Sequence, residues 1–290
     1  MHFRILFLAG VVLLSASCTT IFTKGPGSEW AAYTDEIESL YNQGLYSRAL
    51  APAEKALRIA DVPKYNDHLA LAISLNNLAI VYRDTQGKYA EAEQLLKRAI
   101  KIEEKNLGIG QELVAMTFER NLNSVNDLLA TSLNNLATVY KCQSRYDEAE
   151  PLYKRAMGIE EKMHGLNSQQ VGTSLNNLAL LYRAQGNYPE AESLLKQSTK
   201  IMINKLGSYH PVYATTINNL ALLYFDQGRY AEAEPLFKDA LQIRERALGP
   251  ESLFVATSLE NLAILYRATS RANEADKLER RSNEIRASKK

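Results

Sequence analysis

The chain has 290 residues, of which 46% are hydrophobic and 23% are charged, and its formal net charge is +1. This balance is typical of a folded protein and excludes a disordered chain. Because Lys and Arg are not clustered, the sequence also argues against a nucleic-acid-binding surface. Only two Cys and four His are present, without the spacing of zinc ligands, so we expect neither a bound metal nor another cofactor.

The first residues of the chain have the order of a secretory signal peptide. Arg4 is followed by an uncharged apolar run from Ile5 to Leu14 and then by small residues. The run is too short to span a bilayer comfortably as a permanent helix. We therefore expect residues 1–17 to be a signal peptide that is removed and takes no part in the fold.

The end of this segment, LSASC, resembles the lipobox of bacterial lipoproteins, in which a peptidase cuts before a Cys that carries diacylglycerol. The resemblance implies that Cys18 is lipidated and that residues 18–32 are the lipidated Cys and a tether. Because Thr19 and not Asp follows this Cys, it also implies the outer membrane, facing the periplasm. The alternative is an ordinary cleaved signal, since Ser15 and Ser17 fit the rule for a released secreted or periplasmic protein.

One six-residue motif recurs along the chain. SLNNLA stands at residues 74–79, 132–137 and 174–179, with TINNLA at 216–221 and SLENLA at 258–263. The last four copies follow one another in steps of 42 residues. A fixed period of this length indicates a stack of identical supersecondary units.

Each unit contains two amphipathic segments joined by a turn. In the unit that begins at Val171, Gly186 supplies a permissive turn residue and Pro189 suits the first turn of a second helix. The apolar side chains of the first helix share one face, at Leu175, Leu178, Ala179 and Tyr182. The pattern therefore predicts a pair of antiparallel helices in every unit.

The period and the segments LNNLA, LYRAQGNYPEAE and LGSYHP resemble the tetratricopeptide repeats of kinesin light chain. The resemblance covers nearly everything from residue 33 onward. It implies an all-α fold, a right-handed superhelix of about six helix pairs over residues 33–290, which binds proteins or peptides. The last segment, EADKLERRSNEIRASKK, is polar, as expected for a helix that caps such a stack.

Two irregularities interrupt the period. The second unit has one extra residue in its turn, DTQGKY, and a further 15 residues are inserted before the third copy of the motif. From Phe118 to Tyr140 the apolar residues recur at alternating fours and threes without Pro or Gly. This predicts a third pair whose first helix is extended at its start by about four turns. A decayed partial repeat and a loop are the alternatives.

The second Asn of the motif points away from the core between the paired helices, because a helix turns about 100° per residue. In a superhelix this side is the concave surface, and the predicted row of amides is Asn77, Asn135, Asn177, Asn219 and Asn261. Asn forms helices poorly, so its recurrence needs a reason. The amides could bond to one another and set the spacing of the stack, or clamp the backbone of a bound peptide, and both can hold together.

The same face carries two further sets of side chains. Between the amides we expect apolar pockets, formed by Ile80, Thr138, Leu180, Leu222 and Ile264. Cations border the face at Arg83, Lys141, Arg183 and Arg267. The resemblance to kinesin light chain implies that these cations favour acidic peptides. The alternative is a solvated or ion-paired edge, which is common for exposed cations.

No pattern in the sequence indicates catalysis, so we do not expect an enzyme. His164 and His210 fall in equivalent loops between repeats, and Cys142 falls in a helix-end turn. The acidic pairs Glu103/Glu104 and Glu160/Glu161 have neighbouring Lys and are interpreted as solvated helix faces. The sequence predicts a membrane-tethered scaffold that binds an extended peptide or protein segment in its concave groove. The alternative is a structural subunit of an envelope assembly, such as a secretion or pilus machine.

Overall fold

The computed structural model describes residues 26–65, 67–112 and 119–289, with the side chains of residues 108–122 left aside. Regular structure in this part of the chain is entirely helical, and twelve α-helices follow one another as six pairs. The predicted all-α architecture of about six helix pairs is therefore confirmed. The described residues fall into two compact units, residues 26–166 and residues 167–289, and each is considered by itself.

The first unit contains three helix pairs, and a short 3₁₀ turn, Tyr46–Ala49, leads into its second helix. Its helices are α1 Ser28–Asn42, α2 Leu50–Ala60, α3 His68–Val81, α4 Tyr89–Glu112, α5 Glu119–Cys142 and α6 Tyr146–His164. The second unit also contains three pairs. Its helices are α7 Gln169–Ala184, α8 Tyr188–Leu206, α9 Pro211–Asp226, α10 Tyr230–Leu248, α11 Leu253–Ala268 and α12 Ala272–Ala287.

The turn inside each pair depends on one residue with left-handed backbone. Gly186 has φ of 80° at the end of α7, and the amide of Asn187 then donates to the carbonyl of Tyr182 at 2.9 Å. This closes the helix by satisfying carbonyls that its last turn leaves free. Ser144 and Ser270 take the same conformation, with φ of 60° and 61°, so the turn persists where the sequence lacks Gly.

Small side chains let the paired helices approach closely. Ala179 of α7 and Ala191 of α8 are fully buried, and both belong to one core cluster with Leu195 and Phe237. The same cluster continues into the following pairs of the second unit. Each pair therefore completes its apolar core only against its neighbours, as expected in a stack of repeats.

The closest approach of backbone and side chain lies at Gly172, near the start of α7. A Cβ atom there would stand 2.9 Å from Cε of Met202 and 3.1 Å from Cγ2 of Ile201. We expect Gly172→Val to lower the free energy of unfolding of the second unit by about 2 kcal/mol through overpacking. Urea denaturation measures the change. Gly158→Val is the matched control, because nothing lies within 4 Å of a Cβ at that helical Gly, and an equal loss in both variants would contradict the packing argument.

The first helices of consecutive pairs lie on the inner side of each stack. In the second unit, α9 contacts both α7 and α11, whereas the described residues of α8, α10 and α12 make no comparable contacts with one another. In the first unit, α3 and α5 are in contact in the same way. The face that the first helices turn away from their partners is therefore the inner face of each unit.

The insertion before the third motif lengthens two helices. The helix α5 has 24 residues, eight more than the 16 of α7, and α4 also has 24 residues, five more than the 19 of α6. The predicted extension of the third pair's first helix is confirmed from Glu119 onward, and Phe118 lies outside the described residues. The described part of this extension amounts to about two turns, and the residues that would carry its remainder lie outside the described ranges.

The extra turn residue of the second helix pair is accommodated by a change in helix type. Residues Tyr82–Gln86 form a single turn of π-helix between α3 and the turn at Gly87. A π-turn accommodates one more residue per turn than an α-helix, so α3 can end in register with α4. The added residue therefore changes the helix end and leaves the pairing intact.

The first helix begins earlier than the sequence indicates. It starts at Ser28, five residues before the predicted boundary at residue 33, and Trp30 is buried. The indole Nε1 of Trp30 donates to Oγ of Ser74 in α3 at 2.8 Å. Residues 28–32, expected to lie in the tether, therefore form the start of α1. None of the helices in the described residues has the length and apolar character needed to cross a membrane.

Candidate peptide-binding site

The inner face repeats the same four positions in every pair. In α9 these positions are Thr215, Asn219, Leu222 and Asp226, which follow one another at helical spacings of four and three. The predicted amides and the side chains predicted between them occupy the two central positions of this set in α3, α5, α7, α9 and α11. The predicted cations stand six residues after their amides, near the ends of these helices or, for Arg83, in the turn that follows α3.

Hydrogen bonds connect the Asn side chains of consecutive pairs. In each bond, Nδ2 of the second Asn in one motif donates to Oδ1 of the first Asn in the preceding motif. The bonds are Asn135 to Asn76 at 3.1 Å, Asn219 to Asn176 at 2.8 Å and Asn261 to Asn218 at 3.0 Å. The expected bonds from the amides to the neighbouring repeat are therefore present for these three residues, and their effect on the spacing of the stack stays a prediction.

The amides do not stand free in an open channel. Asn77, Asn135, Asn177, Asn219 and Asn261 are only 2% to 7% exposed. The expectation of a freely accessible row is therefore wrong, because neighbouring first helices pack closely enough to enclose these side chains. Whether a peptide contacts the amides stays a prediction.

The first Asn of the motif has a role that sequence reasoning missed. Asn176 and Asn218 supply the acceptor oxygens of the amide bridges. Asn76 also donates to Oγ of Ser132 at 2.7 Å and to the carbonyl of Ala72 at 3.1 Å. The recurrence of two adjacent Asn residues was the available signal, since a bridge between repeats needs both.

The predicted apolar pockets are filled by packing. Leu180 is 1% exposed and Leu222 is 5% exposed, while Ile80 and Thr138 are also buried. Oγ1 of Thr138 lies 2.8 Å from the hydroxyl of Tyr153, and only Ile264 is half-buried. The expectation of open pockets is therefore corrected, because these side chains fill the space between the helices.

The three predicted Arg residues are paired with carboxylates of the chain itself. Arg183 meets Asp226 of the next pair at 2.5 Å, and Arg83 meets Asp84 at 2.6 Å in the π-turn. Burial opposes the charged form of Arg83, but Asp84 holds its pKa above the usual range.

The remaining two cations lie at helix ends. The exposed Arg267 reaches Asp276 and Glu279 of α12, whereas Lys141 is half-buried at the end of α5. The alternative of an ion-paired edge is thus confirmed for the three Arg residues.

A buried carboxyl group lies beside the amide bridge of the first unit. Glu103 of α4 is 1% exposed, and its Oε1 accepts from Oγ of Ser132 at 2.7 Å. Its Oε2 is buried without a hydrogen-bond partner in the described residues, and burial raises the pKa of this carboxyl to about 8. Glu160, at the equivalent position of α6, is buried as well. The interpretation of these two residues as solvated surface charges is wrong.

Ion pairs cover the end of each unit where the turns inside the pairs lie, here called the turn edge. Nη1 of Arg229, in the turn before α10, reaches Glu192 of α8 at 2.6 Å, and its guanidinium lies 4.0 Å from the ring centroid of Tyr224. Arg229 holds the pKa of Glu192 down at about 2, chiefly by hydrogen bonding. Arg145 and Arg271 make the same contacts in their own turns.

The remaining candidate residues are structural or fall outside the described part. His210 caps the start of α9, where its Nδ1 accepts from the amide of Val212 at 3.2 Å, and His164 at the end of α6 lies 2.5 Å from Asp127. Within the described ranges, no group of three or more His, Cys, Asp and Glu residues could hold a metal ion. Cys18, the predicted lipidation site, lies outside the described residues.

The sequence that forms these helix pairs matches a known family model. The tetratricopeptide repeat model covers residues 31–105, 128–204 and 206–288, which is most of the chain. The chain belongs to the tetratricopeptide repeat family. Members of this family bring proteins together, and tetratricopeptide repeats typically lack enzymatic activity of their own. No curated protein matches the sequence.

Solved tetratricopeptide structures resemble the chain over most of its length. BtubC (BKLC) from P. vanneervenii is 25% identical with a TM-score of 0.61, covering 84% of this chain and 91% of its own. A kinesin light chain-type protein from Podosopora anserina with nearly identical TPR-like repeats is also 25% identical, with a TM-score of 0.53 and coverage of 78% and 99%. The apo form of RapI, at 14% identity, a TM-score of 0.54 and coverage of 89% and 98%, shares the fold alone. The kinesin light chain-like architecture is thus confirmed.

Proposed function

We propose that this tetratricopeptide-repeat protein is a scaffold that binds an extended peptide or protein segment along its inner face. One observation carries the proposal. The bridging amides of Asn135, Asn219 and Asn261 each use one N–H toward the preceding repeat, and their Oδ1 atoms accept no hydrogen bond from the described residues. A carboxamide has two donors and one oxygen with two lone pairs, so each bridge retains polar capacity in a fixed orientation.

A repeated row of oriented amides suits a repetitive ligand. The backbone of an extended peptide presents an N–H and a carbonyl at every residue, whatever its sequence. Because the bridges hold each amide before a ligand arrives, little further side-chain entropy is lost on binding. The amides of the inner face would therefore act both as spacers of the stack and as contacts for a peptide backbone.

The proposal extends to the type of peptide. Arg83 and Arg183 lie at the border of the inner face, and each is already bonded to an acidic side chain, Asp84 or Asp226. An acidic ligand would compete with these carboxylates for the guanidinium groups. Selection from a peptide library tests this part directly, because a preference for acidic segments requires enrichment of Asp and Glu among the bound sequences.

An arginine placed on the inner face should block peptide binding. Thr173 is half-buried on α7 and bonds only its own helix, so Thr173→Arg projects a long side chain across the face without breaking an amide bridge. We expect it to weaken binding of library-selected peptides at least tenfold by calorimetry, because the added side chain occupies the ligand's path.

The control for this experiment is Gln197→Arg, on the exposed side of α8, which should change the affinity less than twofold. Equal affinities in all three proteins would reject the inner face as the binding site. A chain that selects no peptide but co-purifies stoichiometrically with fixed neighbours would instead be a subunit of an envelope assembly.

The proposal also includes the cellular address. The lipobox-like segment LSASC supports attachment through a lipid on Cys18, at a bacterial outer membrane on the periplasmic side. Several acyl chains on one residue give stable membrane attachment, since each buried methylene contributes about 0.8 kcal/mol. Mass spectrometry of the detergent-extracted protein tests this part, because a lipidated Cys18 adds the mass of its acyl groups to the first residue.

A further inference from the structure

Among the described residues, the exposed large apolar side chains all lie near the connections between consecutive helix pairs. These connections lie at the end of each unit where a second helix stops and the next first helix begins, here called the connection edge. Leu166 is 66% exposed in the connection after α6, and Tyr209 is 58% exposed in the connection between α8 and α9. The other members of the set are Val62 after α2, Ile203 in the last turn of α8 and Leu248 at the end of α10.

The opposite end of each pair has a different character. At the turn edge, charged side chains are bonded to one another, as in the contact of Arg229 with Glu192 and Glu232. Within the described ranges, no large hydrophobic side chain is exposed there. The exposed apolar residues are thus not scattered over the surface, as single hydrophobic residues on soluble proteins usually are.

Cations accompany the apolar side chains at the connection edge. In the second unit, the guanidinium of Arg246 lies 3.9 Å from the ring centroid of Tyr209, and Lys205 stands in the last turn of α8. Neither cation has a carboxylate partner among the described residues. In the first unit, Arg58 and Lys162 stand in the last turns of α2 and α6. Aromatic, aliphatic and basic side chains together are what the headgroup region of an anionic bilayer binds.

The chain enters the first unit at this same edge. Because paired helices are antiparallel, the start of α1 at Ser28 lies at the end of the unit where α2 stops and Val62 is exposed. Only residues 19–27 separate Ser28 from Cys18. A stretch of this length reaches about 30 Å at most when fully extended, so a lipid on Cys18 would hold this edge close to the bilayer.

We propose that the connection edge is a membrane-contacting surface in each unit taken by itself, with Leu166 of the first unit and Tyr209 of the second as the residues that enter the headgroup region. This inference relies on the membrane tether of the proposed function. The turn edge then faces away from the bilayer, and the inner face stays open to a partner from the side.

Depth-dependent quenching of a fluorescent label tests the orientation. Acylated protein is placed in vesicles of phosphatidylethanolamine and phosphatidylglycerol that contain headgroup spin-labelled lipid. One label is attached to the natural thiol of Cys142, which is exposed at the turn edge. In a Cys142→Ser background, Leu166→Cys or Tyr209→Cys carries the label instead. We expect the lipid quencher to act at least threefold more strongly at positions 166 and 209 than at 142.

The controls separate the docking surface from the tether. Replacing Lys205 and Arg246 together by Glu should reduce quenching at position 209 on anionic vesicles and leave it unchanged at 142. Equal quenching at all three positions, or stronger quenching at 142, would overturn the proposal.

If mass spectrometry shows no acyl group on Cys18, the proposed tether fails. In that case a hexahistidine segment is attached at residue 18, and the protein is bound through it to vesicles that contain a nickel-chelating lipid. The quenching pattern in that arrangement still decides the docking surface, with the same outcomes.

Discussion

Replacing Glu103 by Gln is expected to raise the free energy of unfolding of the first unit by about 3 kcal/mol at pH 7. The carboxyl group is buried, bonded on one oxygen to Ser132 and unpartnered on the other within the described residues, and its pKa is raised to about 8. At neutral pH the unfolded chain therefore releases a proton that the folded chain retains. Gln removes this linkage and keeps an acceptor for Ser132.

The sign of the pH dependence follows from the raised pKa. Below about pH 4 the carboxyl is protonated in both states, so wild type and Glu103→Gln should be equally stable. As the pH rises toward 8, the unfolded state is increasingly favoured by ionisation, and the stability of the wild-type unit falls. Above pH 8 both states are ionised and the decline stops. Urea denaturation followed by circular dichroism, from pH 4 to pH 9, measures this curve for both proteins.

Two further variants make the Glu103 experiment decisive. Glu104 is exposed and paired with Arg155 at 2.7 Å, and its charge contributes much less than burial to the raised pKa of Glu103, so Glu104→Gln should leave most of the pH dependence in place. Glu103→Met places there the residue that α8 carries at the equivalent position, Met202. We expect Glu103→Met to flatten the curve as Glu103→Gln does. A wild-type curve that is already flat between pH 5 and pH 8 would show that the carboxyl is ionised and solvated.

Removing one partner of an amide bridge should destabilise the second unit by about 2 kcal/mol. In Asn219→Ala, the Oδ1 atom of Asn176 loses the donor that lies 2.8 Å away and stays buried between α7 and α9. The double variant with Asn176→Ala removes both groups, so it should cost less than the sum of the two single changes. A coupling energy of about 1 kcal/mol is expected for residues in direct contact.

Urea denaturation of the four proteins of this cycle supplies the coupling energy. Asn187→Ala is the control, since this Asn is exposed in the turn between α7 and α8 and should lose almost nothing. Additive costs for Asn176 and Asn219 would contradict the bridge. If peptide binding also weakens in Asn219→Ala while Asn176→Ala binds normally, the second Asn has a role in the ligand contact beyond the spacing of the stack.

The paired helices could be predicted because their causes are local. The apolar residues of α7, from Leu175 to Tyr182, follow the helical period, and Gly186 marks the turn that ends the helix. The same reasoning predicted a longer α5, since no Pro or Gly interrupts residues 118–140. It did not predict that α4 would lengthen as well, because where an inserted stretch turns back depends on residues that carry no strong turn signal.

The partners of the polar side chains could not be read from local pattern. Asn219 bonds Asn176 across 43 residues of chain, and Ser132 bonds Glu103 across 29. Glu103 stands beside Glu104 and Lys105 in a sequence that looks solvated, yet it faces the first helix of the next repeat. Helical position alone does not show which residues a neighbouring repeat will enclose.

By itself the sequence determined the repeat, its period, the helix pairs and the row of Asn residues, because helix formation and repetition depend on residues close together in the chain. The tertiary structure alone decided which side chains the stack encloses. Packing of one pair on the next buries the amides, closes the expected pockets and pairs Arg183 with Asp226. These contacts depend on the distance between repeats, and that distance is set by side chains about forty residues apart.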